Sequence, residues 1–209
     1  MKKKWLTQQK DFSQECKQKM LKKKLRVKYK ELRKKLTESD INQKSIAIVE
    51  HIGKHIDLSN KVVSVFLPIQ KHKEVNTYFL LDYMKEKGLV ITAPKSDFKT
   101  ITLTHILIEK ETQIEVNNFG IPEPLSGKSI DISALDIVFV PFLAVDKNGY
   151  RVGYGKGFYD RFLSQCKNSC IFIGLHLFES FEQIDDIHES DIPVHLIISP
   201  NKITYFDRH

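Results

Sequence analysis

Residues 136–163, DIVFVPFLAVDKNGYRVGYGKGFYDRFL, decide how this chain folds. Ile137 to Val140 is a continuous apolar run ending at Pro141, the pattern of a short strand buried on both faces. Asp146-Lys147-Asn148-Gly149 is a cluster of turn formers. Gly153, Gly155 and Gly157 then alternate up to Phe158, where a helix is expected to begin. Strand, turn, glycine loop and helix in that order describe one unit of an α/β sheet.

The flanking sequence repeats the alternation. Upstream, Val62–Leu67, Gly88–Ala93 and Ile101–Ile108 are short apolar runs, with a helix-like stretch from Val75 to Lys87 between the first two. Downstream, Ile171–Leu175, Val194–Ile198 and Ile203–Phe206 complete the set. At the N-terminal end, Leu21, Leu25, Tyr29, Leu32 and Leu36 fall within an arc of about 80° on a 3.6-residue helix, a stripe that can dock on a core. Lys22, Arg26, Lys30 and Arg33 occupy the adjacent arc. Thr37-Glu38-Ser39-Asp40 supplies capping residues for a second helix through Ser45, Ile48, Val49 and Ile52. The pattern predicts an α/β fold: a mostly parallel sheet with helices on both faces, three layers deep, and the basic N-terminal helix packed alongside. Residues 21–209 read as a single domain, and residues 1–20, polar and poor in apolar periodicity, as a variable basic extension.

The 209 residues are 41% apolar and 28% charged, enough for a buried core without disulfide staples. Residues 1–36 carry 15 Lys and Arg against 3 acids, and the remaining 173 residues carry 18 against 23. The overall +7 is therefore a net of +12 on one segment and −5 on the rest. Such an arm can bind nucleic acid, but it lacks interleaved base-stacking aromatics and reads as a solvated lysine face. No run approaches the ~20 apolar residues of a spanning helix, and the N-terminus has no apolar signal core. The scattered Cys16, Cys166 and Cys170 lack a zinc-site pattern, and Cys170 opens an apolar run as a core residue. A reduced, cytoplasmic protein without nucleic-acid or membrane partners is expected.

The chemistry concentrates in the glycine loop. Alternating glycines let the backbone adopt positive φ and turn its N–H groups toward one point, and the following helix start adds its positive dipole end. Arg151 and Lys156 add two charges, so a polyphosphate is the expected ligand. Counting excludes two familiar loops. A Walker A motif needs Ser or Thr after its Lys, whereas Gly157 follows Lys156; the dinucleotide fingerprint needs Gly three residues after Gly155, which is Phe158. Asp160 is placed either to hold Mg²⁺ on that phosphate or to serve the helix as a first-turn acid.

At this point the chain resembles the 5-formyltetrahydrofolate cyclo-ligase family, whose members are also called 5,10-methenyltetrahydrofolate synthetases. The resemblance rests on Lys22-Lys23-Lys24-Leu25-Arg26 with Arg33, Glu74-Val75-Asn76-Thr77, Phe119 to Pro124, Arg151 to Asp160, and Asp191-Ile192-Pro193-Val194. Together they span about residues 22–199. The longer loop from Pro68 to Lys73, and His195 where members often carry an acid, depart from the family pattern.

The resemblance implies ATP- and Mg²⁺-dependent ring closure of 5-formyltetrahydrofolate, with or without a polyglutamate tail, by a monomer. It places ATP on Lys22, Arg26 and the loop Arg151, Val152, Gly153, Tyr154, Gly155, Lys156, Gly157, Phe158 and Tyr159, with Arg151 and Lys156 as the catalytic charges. Glu74 would accept hydrogen bonds from the pterin beside Leu67 (or Ile69), Tyr154 and Phe158. Asp160 and Asp191 would hold Mg²⁺. His72, His176, His188 and His195 receive no role. Two alternatives keep part of the pattern: a phosphosugar isomerase with the same phosphate loop, and a basic nucleic-acid-binding domain.

Overall fold

The computed structural model describes residues 19–207. Helix α1 (Lys22–Lys34) and helix α2 (Glu38–His55) precede the sheet. Thr37 caps α2 as anticipated: its hydroxyl accepts from the Asp40 N–H, and the Asp40 carboxylate accepts from the Thr37 N–H. Strand β1 (Val62–Ser64), α3 (Tyr78–Glu86), β2 (Val90–Asp97) and β3 (Thr102–Leu107) follow. Then come β4 (Ile114–Val116), β5 (Pro122–Pro124), β6 (Ser129–Ile130), β7 (Ile137–Pro141), β8 (Ala144–Val145) and β9 (Arg151–Val152). The described chain closes with α4 (Phe158–Leu163), β10 (Ile171–Leu175), β11 (Leu196–Ile198) and β12 (Ile203–Tyr205).

Eight strands form the main sheet in the order β12-β11-β10-β7-β1-β2-β3-β6. The five from β11 to β2 are mutually parallel, while β12, β3 and β6 add antiparallel edges. The centre is the apolar run expected of strands covered on both sides. Along β7 the side chains alternate faces. Ile137 and Phe139 join the core beneath α2 and α3, whereas Val138 and Val140 join the core beneath α4 with Phe162, Leu163 and Cys170. This is the three-layer arrangement the patterning predicts.

The expected Val75–Lys87 helix begins three residues later. Thr77 instead fixes the approach, donating its hydroxyl to the Phe66 carbonyl at 2.6 Å. Two hairpins, β4–β5 and β8–β9, do not emerge from the alternation of runs. β8–β9 turns on Asp146, whose Oδ1 accepts from the N–H groups of Asn148 and Tyr150. Gly149 completes the turn at φ +84°, where a Cβ would stand 2.6 Å from the Val194 carbonyl oxygen. Helix α1 lies on this hairpin, burying Leu25 and Tyr29 with Leu143, Ala144, Val152 and Ile184 in a third core.

Candidate active site

Helix α1 has no side-chain cap and no acid in its first turn. The loop after β10 supplies both from a distance. Asp185 accepts from the Met20 N–H at 2.5 Å and Asp186 from the Lys22 N–H at 2.7 Å, placing negative charge at the helix start. Glu182 binds Lys28 Nζ and the Tyr29 hydroxyl, each at 2.7 Å. These three acids therefore hold the basic helix against the hairpin. The face suggested for nucleic acid is in part turned inward to these carboxylates.

So seated, α1 presents Lys22, Arg26 and Arg33 to the glycine loop. Arg26 Nε donates to the Gly153 carbonyl at 2.9 Å, and its guanidinium lies so close to Gly155 that a Cβ there would stand 3.1 Å from Cζ. Gly155 and Gly157 have φ of +91° and +75°, the left-handed region that the alternating glycines make accessible. Lys156 is exposed and makes no hydrogen bond or ion pair among the described residues. Gly157 leads directly into α4, so the loop ends at a helix start.

Arg151 is used differently. Its side chain is 4% exposed; Nη2 donates to Asp160 Oδ1 at 2.9 Å, and Nη1 donates to the Ile192 carbonyl. Burial lowers the pKa of this guanidinium, and Asp160 opposes that shift. The Ile192 N–H also binds Asp160 Oδ1 at 3.2 Å, so the residue after Asp191 is tied to Asp160. Asp191 lies at the entrance to β11 rather than at the exit of a strand. It arrives because Arg151 and Asp160 grip the adjacent backbone. Lys22 Nζ forms an ion pair with Asp191 Oδ2, which also accepts from the His188 N–H. One oxygen of each aspartate has no protein partner among the described residues. Two hard-oxygen carboxylates with free positions fit a Mg²⁺ that keeps water and phosphate in its shell.

Glu74 opens the other half of the site. It is only 4% exposed, not the solvated acid its loop position suggests, and desolvation raises its pKa. Oε1 accepts from the Tyr154 hydroxyl at 2.5 Å and Oε2 from the Ile69 N–H at 2.7 Å. Arg33, 3% exposed, donates from Nη1 to the Tyr154 hydroxyl at 3.1 Å and from Nη2 to the Phe142 carbonyl at 2.5 Å. His72 stacks on the Tyr154 ring at 4.8 Å between centroids. Glu74 borders a cleft of about 280 Å³ with Asn42, Pro68, Asn76 and Tyr78. A larger cleft of about 730 Å³ lies at the N-terminal ends of β1 and β2, and none of the motif residues lines it.

Leu67 is buried in the core beside α2 and α3, whereas Ile69 is partly exposed and fixes Glu74 through its N–H. Phe158 meets Phe98 edge-to-face at 5.0 Å. Tyr159 packs against Phe162, and burial raises its pKa. Arg33 and His72 received no role from the sequence. Arg33 was within reach of pattern reasoning, since two turns separate it from Arg26 on one helical face; His72 carries no comparable signal.

The fold and these contacts define an open, largely parallel α/β protein with a basic glycine loop joined through Arg151 to Asp160 and through Tyr154 to a buried glutamate. The family profile of the 5-formyltetrahydrofolate cyclo-ligases matches residues 18–200, and the chain belongs to that family, a family of ligases. It is similar to the 5-formyltetrahydrofolate cyclo-ligase of Haemophilus influenzae, 28% identical over 178 residues, covering 81% of this chain and 92% of that protein. The mouse enzyme of the same name is 26% identical over 150 residues, 68% of this chain and 73% of the mouse protein. The NMR structure of the Aquifex aeolicus 5,10-methenyltetrahydrofolate synthetase superposes with a TM-score of 0.77 at 27% identity, covering 91% of this chain and 95% of that one. A synthetase from Mycoplasma pneumoniae shares the fold, with a TM-score of 0.69 at 22% identity over 87% of this chain and 100% of that one.

Proposed function

We propose that the chain converts 5-formyltetrahydrofolate to 5,10-methenyltetrahydrofolate at the expense of ATP, with Mg²⁺ required. One observation carries this reading beyond family membership. The basic, glycine-rich loop and the buried Glu74 are joined through Tyr154, so an anion site and a site for a polar heterocycle share one wall.

The chemistry needs both. A formyl amide carbon is a poor electrophile, and its oxygen cannot leave as oxide. Attack of that oxygen on the γ-phosphorus forms an O–P bond as the bond to ADP breaks. The N10 lone pair then adds to the formyl carbon, phosphate departs with the former formyl oxygen, and N10 loses its proton. Little covalent work falls to the protein, so positioning and charge neutralisation dominate.

In this reading the N–H groups of Gly153 to Gly157, with Lys22, Arg26 and the free Lys156, hold the triphosphate. Lys156 is the mobile charge suited to the transferring group. Arg151 is engaged with Asp160 and the Ile192 carbonyl and acts by fixing the two aspartates. Asp160 and Asp191 would hold Mg²⁺, which when bound neutralises phosphate charge. Glu74 accepts from the amino-pyrimidinone edge of the pterin, whose adjacent N–H donors match two carboxylate oxygens. We further propose that residues 21–209 act as one domain and that the extension of residues 1–20, of which 1–18 lie outside the described residues, takes no part in turnover. No helix among the described residues is long and apolar enough to cross a membrane; a monomer in the cytoplasm remains part of the proposal.

Turnover is read directly as growth of the methenyl product's absorbance. With 5-formyltetrahydrofolate, ATP and Mg²⁺ the signal rises, and omission of ATP or Mg²⁺ abolishes it. A folded sample that forms no product under the complete conditions contradicts the proposal.

A further inference from the structure

Tyr154 belongs to two networks at once. Its backbone lies between Gly153 and Gly155 in the anion loop, where Arg26 binds the Gly153 carbonyl and rests on Gly155. Its hydroxyl lies between Arg33 Nη1 at 3.1 Å and Glu74 Oε1 at 2.5 Å. With Ile69 N–H on Oε2, both oxygens of this buried carboxylate are engaged inside the protein. Yet Arg33 Nε is buried without a hydrogen-bond partner, as is Nδ1 of His72, the ring stacked on Tyr154. An unmatched buried Arg33 N–H beside a carboxylate whose two oxygens are each already engaged marks a network arranged for one more component.

We propose that Tyr154 fills, in the ligand-free chain, the acceptor position on Glu74 that the bound heterocycle takes over, and that this exchange couples folate and nucleotide binding positively. The inference rests on the function proposed above. Folate binding at Glu74 displaces the Tyr154 hydroxyl and shifts the loop that carries it. Phosphate binding to the loop draws on the same segment and releases Glu74. Either ligand arriving first breaks the Tyr154–Glu74 bond, and the second finds it broken. Such coupling is reciprocal by thermodynamic necessity. Desolvation raises the pKa of Glu74 and the charge of Arg33 opposes that shift, so Arg33 is the cation that compensates the vacated carboxylate. Tyr154 is thus a positioning residue whose effect passes through Glu74 and the loop.

Calorimetry with a non-hydrolysable ATP analogue and Mg²⁺, with and without saturating 5-formyltetrahydrofolate, tests this. The analogue's dissociation constant should fall about tenfold when folate is present, and folate should gain the same factor from the analogue. Tyr154→Phe keeps the ring and its stacking on His72, and its melting temperature confirms the fold. In that variant folate alone binds more tightly and the coupling factor drops to near one. Two bound ligands without coupling in the wild type, or unchanged coupling in Tyr154→Phe, overturns the inference and leaves the proposed function standing. Failure of the wild type to bind either ligand overturns both.

Discussion

At the scale of single residues, the site is built from side chains that hold one another. Asp191 is the clearest case. Its sequence neighbourhood, rich in Glu and Asp from Glu179 onward, gives no physical reason to single it out. Only its place before Ile192-Pro193-Val194, together with the family pattern, does so. The structure supplies the missing cause: Arg151 and Asp160 bind the Ile192 backbone, and Lys22 faces the Asp191 carboxylate. Glu189, two residues away, is exposed and makes no hydrogen bond or ion pair among the described residues. Asp191→Asn should therefore raise the Mg²⁺ concentration for half-maximal turnover by at least the roughly tenfold that loss of even an outer metal-site partner costs. Its melting temperature should stay within a few degrees, since Asn can still accept from the His188 N–H. Glu189→Gln should change neither quantity. Equal Mg²⁺ shifts in both variants would return Asp191 to the surface acids.

At the scale of elements, the strands and helices with strong periodicity were legible, and the pieces defined by long-range contacts were not. Ile171–Leu175 is readable as a strand because no polar side chain interrupts its run, and α2 because Thr37 and Asp40 mark its start. The short strands of β8–β9 give too little periodicity to announce themselves. The start of α1 depends on Asp185 and Asp186, more than 160 residues away in the chain. No local pattern can show such a cap. Close packing gives a test at this scale. Gly174 in β10 has an ordinary backbone, but a Cβ there would overlap the Phe142 ring and stand 3.0 Å from the Ile197 side chain. Gly174→Ala should cost roughly 1–3 kcal/mol by overpacking, measured by urea unfolding. An unchanged midpoint would mean that the α4-side core yields more readily than its packing implies.

For the whole molecule, two histidines set an acid limit. His105 binds Ser64 Oγ through Nδ1 at 2.9 Å, with Nε2 unpartnered against Phe162; His176 binds the Leu143 carbonyl at 3.0 Å. Desolvation pushes both pKa values down to about 4. Unfolding restores the ordinary value near 6.5, so between pH 6.5 and 4 the unfolded chain binds more protons than the folded one. The stability these neutral rings contribute is complete above about pH 6.5 and is lost as pH falls toward 4, at roughly 3 kcal/mol for each ring. Urea midpoints should drop steadily from pH 7 to 4.5, and a flat profile would contradict the buried neutral imidazoles.

In the proposed reaction the formyl oxygen leaves on phosphorus, the anion loop and Glu74 holding the two substrates against one wall. Labelling that oxygen with ¹⁸O tests it most directly. After turnover with ordinary ATP and Mg²⁺, mass spectrometry of the released phosphate should find one labelled oxygen for each methenyl product formed. Unlabelled phosphate, with the label in water instead, would contradict the claim.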